Sequence, residues 1–168
     1  IYSAKKAGVD CCTVVCDADD ATADVARSVG ADVFIRPSPR IDWDAGHGII
    51  AGARNEALSL AEPRTDYVLS LDADERVPRE LRDEIERIIR NDGPADGYLI
   101  PRKNFFWGAW VRHGRLYPDH QLRLFRRGRG RFVEQVVHES VRVNGRGARL
   151  ASPLVHESYR SPEEFVQR

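Results

Sequence analysis

The sequence predicts an α/β protein, a layered sheet followed by a β-rich second half. Three observations predict it. Short apolar, β-branched runs alternate with amphipathic stretches as far as Asn91, the pattern of strands and helices packed in layers. One of these runs, Tyr67-Val-Leu-Ser-Leu71, ends abruptly in Asp72-Ala-Asp74-Glu75. Acids at the carboxyl end of a buried strand project into the crevice where open α/β sheets bind ligands. Beyond Gly97 helical spacing gives way to strand-length runs joined by Gly- and Arg-rich turns.

Taken in order, Tyr2 to Gly8 reads as the tail of a helix, and Cys12-Thr-Val-Val-Cys16 as a buried strand. Asp20 suits the N-cap of a helix that turns Val25, Ala26 and Val29 inward and stops at Gly30. Asp32-Val-Phe-Ile35 is a second strand, and the Pro-, Asp- and Gly-rich stretch from Arg36 to Gly48 a loop. Ile49 to Ala61 has helical spacing, with Ile50, Ala53, Ala57 and Leu58 on one face. Pro78 opens a helix with Leu81, Ile85, Ile88 and Ile89 in an apolar stripe and Asp83–Arg87 and Glu86–Arg90 as i,i+4 pairs. Strands are then expected at Gly97–Pro101, Gln121–Arg126, Phe132–Val137 and Glu139–Val143.

A chain of 168 residues, 42% apolar and 31% charged, suffices for one domain with its own core. We take residues 1–168 as that domain, 1–95 its ligand-binding half and 96–168 its site-completing half. Formal net charge is zero, so no global field draws it to nucleic acid or membrane. No run approaches the roughly 20 apolar residues of a membrane span. Cys11, Cys12 and Cys16 lack CxxC spacing and are odd in number, as expected of small buried residues in a reducing compartment. The absence of methionine and a helix start read at Ser161-Pro-Glu-Glu-Phe165 lead to the expectation of a fragment, truncated at both ends.

The chemistry-bearing residues admit two readings each. Asp72 and Asp74 can share a hard divalent cation that holds a diphosphate, or they can be an acidic turn before a helix. Asp17 can meet a base or ribose at a strand end, or serve a turn. Arg54 can face a phosphate, although spacing favours solvation. Asp119, expected on a loop at the sheet edge, can act as a base if desolvation raises its pKa, or cap the turn. His138-Glu139 and His156-Glu157 repeat at strand ends, where a histidine can ligate a metal or simply pack. Five arginines between Arg123 and Arg131 read as a solvated basic turn, with phosphate binding as the alternative.

Four segments in this order and spacing, Leu71-Asp-Ala-Asp-Glu-Arg76, Pro101-Arg-Lys-Asn-Phe105, Tyr117-Pro-Asp-His-Gln-Leu-Arg-Leu-Phe-Arg126 and the two His-Glu pairs, resemble the inverting family 2 glycosyltransferases of GT-A fold. More narrowly they resemble the bacterial branch that builds lipopolysaccharide core or related envelope glycans. The resemblance runs from about Cys12 to Phe165 and implies a Rossmann-like three-layer sheet. It implies a Mg²⁺ or Mn²⁺ cofactor held by Asp74 and His138, and Asp119 as catalytic base. It also implies a nucleotide contacted by Asp17, Arg54, Asn55 and Asp72. The expected function is transfer of a sugar from a nucleotide-sugar donor to a glycan or lipid-linked acceptor, in the cytoplasm or at the inner membrane's cytoplasmic face.

The alternative is a non-catalytic glycan- or nucleotide-binding domain of the same fold. A phosphotransferase using Asp72 as nucleophile is disfavoured by Arg76 where such enzymes carry Thr or Val. Thin aromatic interleaving disfavours RNA binding.

Overall fold

The computed structural model describes residues 12–16, 20–35, 49–60, 65–114, 116–133, 140–159 and 161. Asp17, His138, Cys11 and the loop expected from Arg36 to Gly48 lie outside them. The architecture is mixed α/β. Strands β1 (Thr13–Cys16) and β2 (Asp32–Ile35) pair in parallel across helix α1 (Ala21–Ser28). Asp20 caps α1, accepting from the Thr22 N–H at 2.8 Å. The buried face of α1 is Ala23 and Ala26, and Val25 is 61% exposed. This corrects the expected Val25 face: two alanines three residues apart let the helix backbone sit close on the strand pair.

Helix α2 (Ile49–Leu60) packs on β1 and on β8 (Gly130–Val133). Strand β3 (Tyr67–Leu69) stops two residues earlier than expected, although the Ser70 N–H still reaches the Arg123 carbonyl at 2.8 Å. The acids fold into a turn that leads to a two-residue strand, β4 (Glu75–Arg76), and then helix α3 (Arg79–Arg90). Leu81 and Ile85 of α3 are buried, whereas Ile89 at the stripe's edge is 43% exposed. Of the expected i,i+4 pairs, Glu86–Arg90 forms at 2.7 Å, while Asp83 faces Arg79 and Arg82.

The long strand β5 (Gly97–Phe106) organises the second half. It pairs antiparallel with β6 (Ala109–Trp110) and β7 (Asp119–Arg126), and parallel with β10 (Gly147–Arg149) and β11 (Leu154–Tyr159). The main path of this sheet runs β3-β7-β5-β11-β4. Among the described residues β1 and β2 form a separate two-stranded sheet, whereas the sequence pattern implies one continuous layer. Strands β8 and β9 (Ser140–Val143) pair antiparallel, with β9 against β7 of the main sheet.

The core lies between α3 and the main sheet. Leu81 and Ile85 meet Tyr67, Tyr98, Ile100, Leu124, Leu150 and Leu154. Period-two alternation in β5 turns Tyr98 and Ile100 into this core and carries Arg102 and Asn104 onto the same face further along. The strand that anchors the core thus also delivers polar groups beside the acidic turn.

Candidate active site

The site forms where the turn after β3, the end of β5, the start of β7 and the middle of β11 converge. Two short ladders fix it. In β5–β7 register Arg102 stands opposite Asp119, and in β11–β4 register His156 stands opposite Glu75. The Glu157 N–H also donates to the Asp74 carbonyl at 3.0 Å, pinning the acidic turn to β11.

Asp72 is clasped by two guanidinium groups. Arg54 of α2 reaches Oδ1 at 2.6 Å and Arg123 of β7 bonds Oδ2. Burial opposes the charge on Asp72, but Arg123 and Arg54 outweigh it and hold the carboxyl below its ordinary pKa. Arg54 is therefore turned to the site, not to solvent as spacing suggested. Arg123 is buried inside a strand, not part of a solvated turn: its Nη2 also bonds Glu75 Oε1 at 2.6 Å. Glu75, with a fully buried side chain, accepts in addition from the Asp72 N–H at 3.0 Å. It closes the turn and neutralises Arg123.

Asp119 is the first residue of β7, an internal strand, and not a loop residue at the sheet edge. Arg102 donates to its Oδ2 through Nε (2.9 Å) and Nη2 (2.6 Å), and Gln121 donates to Oδ1 at 2.6 Å. Burial raises its pKa, but the bonds from Gln121 and Arg102 dominate and lower it. The rise by desolvation on which the base reading was conditional is not found, because the partly buried Asp119 has its charge already paired.

Asn104 joins this centre to the histidine. Its Nδ2 donates to the Leu116 carbonyl at 3.0 Å and faces Asp119 at 3.4 Å, so its Oδ1 is the acceptor, 2.7 Å from His156 Nδ1. The ring therefore donates from Nδ1, with the Ser158 hydroxyl 3.0 Å from the same nitrogen. The opposite nitrogen, Nε2, lies 3.3 Å from Asp74 Oδ2. In a neutral ring protonated at Nδ1, Nε2 carries a lone pair, and two electron-rich atoms face each other. A second ring proton or a cation between them resolves the contact. The neighbouring His156 ring leads the influences that lower the Asp74 pKa, against partial burial.

The constellation brings Asp72, Asp74, Arg54 and Asp119 together. Asn55 is adjacent in sequence but its amide grips β8, donating to the Phe132 carbonyl at 2.9 Å and accepting from the Phe132 N–H at 3.0 Å. Sequence reasoning assigned no individual role to Glu75, Arg102, Asn104 or Gln121, and read Arg123 only as part of a basic turn. The available signal was polar residues at alternate positions within apolar strands, Arg102 and Asn104 in β5 and Gln121 and Arg123 in β7. Among the described residues no group of three or more His, Cys, Asp or Glu side chains converges as a complete metal site. Asp74 and His156 offer two ligand atoms, with the ring oriented from behind by Asn104 as ligating histidines usually are.

The fold and site thus define a mixed α/β protein with an acid, arginine and histidine centre at its strand ends. Comparison with known proteins adds a functional class. The chain is 26% identical over 106 residues to the lipopolysaccharide core biosynthesis glycosyltransferase LpsC of Rhizobium meliloti (strain 1021), covering 62% of this chain and 39% of that protein. It is 32% identical over 99 residues to an uncharacterized glycosyltransferase of Rickettsia bellii (strain RML369-C), covering 59% of this chain and 30% of the relative. With another of Rickettsia prowazekii (strain Madrid E) it shares 35% identity over 83 residues, 49% of this chain and 24% of the relative. The matches therefore span less than half the length of each relative. No family model matches the chain.

Proposed function

We propose that the chain is the site-bearing part of a metal-dependent, inverting glycosyltransferase of GT-A type, acting in envelope glycan or lipopolysaccharide synthesis. The observation that carries the reading is the facing pair Asp74 and His156, set beside Asp72 in one turn and one network away from Asp119. Similarity to three named glycosyltransferases supports the reaction class.

In this reading Asp74 and His156 would hold Mg²⁺ or Mn²⁺, with His138 as a further ligand. When bound, the cation supplies charge to stabilise a departing diphosphate. Arg54 and Asp72 would contact the nucleotide together with Asp17, and Asn55 would act through β8 by fixing its distance from α2. The halves 1–95 and 96–168 would serve donor and acceptor respectively. Asp119 would accept the proton of the acceptor hydroxyl. Held by Arg102 it is a weak base toward a free alcohol, but the hydroxyl grows acidic as its bond to the anomeric carbon forms. One base on one face gives inversion. The partners would be a nucleotide-sugar donor and a glycan or lipid-linked acceptor, at the cytoplasmic side of the inner membrane. Among the described residues no helix is long and apolar enough to cross a membrane.

The test is product stereochemistry. Incubation with nucleotide sugars, a glycan or lipid-linked acceptor and Mn²⁺, followed by NMR of the anomeric proton of the new glycosidic bond, should give an inverted product that Asp119→Asn abolishes. A retained configuration, or full activity in Asp119→Asn, contradicts the assignment.

A further inference from the structure

The hairpin between β5 and β6 has a tip whose chemistry the site does not use. Trp107 and Gly108 both have positive φ, +52° and +77°, as a two-residue hairpin of this hand requires. Asn-Gly meets that requirement cheaply. A tryptophan in the left-handed region is strained, and here burial does not offset the strain, because Trp107 is 52% exposed. The Trp107 N–H is fastened to the Tyr159 carbonyl at 2.8 Å, so the indole is presented on a fixed arm.

Beside it, Lys103 and Arg112 both stand over the Trp110 ring, at 4.6 and 5.0 Å from its centroid. Tyr117 meets the same ring edge-on at 5.2 Å. Among the described residues neither cation has a carboxylate within ion-pair distance. Other arginines of this strand end, such as Arg102 and Arg76, are paired. Leu116, 37% exposed, adds apolar surface, and Trp107, Gly108, Ala109, Arg112, His113 and Gly114 are all exposed. The feature projects outward, whereas small-molecule sites are concave.

We propose that this projection docks the protein on an anionic lipid bilayer, with Trp107 and Leu116 entering the interface and Lys103 and Arg112 meeting the headgroups. Tryptophan, tyrosine and basic side chains favour that boundary, where one end is apolar and the other charged. Because the hairpin extends from the strand end that carries Arg102 and Asn104, docking brings the Asp119 end of the sheet toward the lipid surface. The inference assigns a surface to the membrane-side placement proposed above. Vesicle binding is read without donor or acceptor, so either reading can fail without the other.

The experiment is co-sedimentation of the chain with phosphatidylcholine vesicles, with and without phosphatidylglycerol. Binding should require phosphatidylglycerol and weaken with salt. Lys103→Gln/Arg112→Gln should weaken it by about 25-fold, from roughly 5-fold per surface cation, and Lys103→Glu/Arg112→Glu by more, with circular dichroism unchanged. Trp107→Ala should weaken binding while leaving its salt dependence. Arg79→Glu/Arg90→Glu, reversing exposed cations elsewhere, should bind as the parent does. The proposal is overturned if phosphatidylglycerol makes no difference, if the Arg79/Arg90 control weakens binding as much, or if glycerol 3-phosphate displaces the protein, which would mark a small-anion site.

Discussion

Arg102 grips Asp119 by two nitrogens, at 2.9 and 2.6 Å, on a single carboxylate oxygen. The other oxygen is held by Gln121. A carboxylate so held is rigid and weakly basic, suited to accept a proton only when the donor has become acidic.

Replacing Arg102 with methionine should therefore raise the Asp119 pKa toward the ordinary carboxylate value. The acid limb of the pH–rate profile should move to higher pH, because more protons compete for the base. Turnover should fall by 10-fold or more, roughly, as the orientation of the base is lost. Nucleotide binding should stay close to that of the parent. A profile unchanged in shape and position would show that Arg102 does not govern the base.

Arg123 and Glu75 form the most buried ion pair of the site, with side chains 8% and 0% exposed. Arg123→Met should cost about 3 kcal/mol, the lower end for breaking a buried pair, because it leaves the fully buried Glu75 with only the longer contact to Arg102 at 3.6 Å. Arg123→Met with Glu75→Gln should recover part of that loss. Urea unfolding of the single and double variants measures both.

Glu84 ties α3 to the turn before β11, accepting from the Ala151 N–H at 3.0 Å and the Ser152 N–H at 2.8 Å. Burial opposes its charge, but these donors prevail and lower its pKa below 4.5. A group with a lowered folded pKa stabilises the fold above its unfolded pKa and ceases to do so as pH falls through the folded value. The difference in melting temperature between the parent and Glu84→Gln should thus be largest near neutrality and vanish in acid. The corresponding difference in unfolding free energy should be no more than ~1 kcal/mol, since solvent screens a partly exposed group. A difference constant with pH would contradict the assignment.

Much of the fold is readable from local pattern. The apolar run from Tyr67 and its acids, the Asp20 cap and the α3 stripe declare themselves because each depends on neighbours in sequence. Arg54, Asp72, Glu75 and Asp119 are linked through Arg123 and Arg102 into one connected set of ion pairs. What is not legible is long-range pairing. Arg123 reads as one arginine among five until β3 and the acidic turn are laid beside β7. His156 becomes a partner of Asp74 only through the β11–β4 ladder, a contact that spacing does not encode. Asp119 looks like a loop acid because cap and strand-start positions share a composition, and only the register with Arg102 separates them.

The most direct test of the central claim is calorimetric titration of UDP, GDP and CMP, with and without Mn²⁺, on the parent chain, Asp74→Asn and His156→Ala. The account expects one nucleotide to bind in a Mn²⁺-dependent manner, with both substitutions weakening it at least about 10-fold. Absence of nucleotide binding by the folded protein, or binding indifferent to Mn²⁺ and to Asp74→Asn, would contradict it.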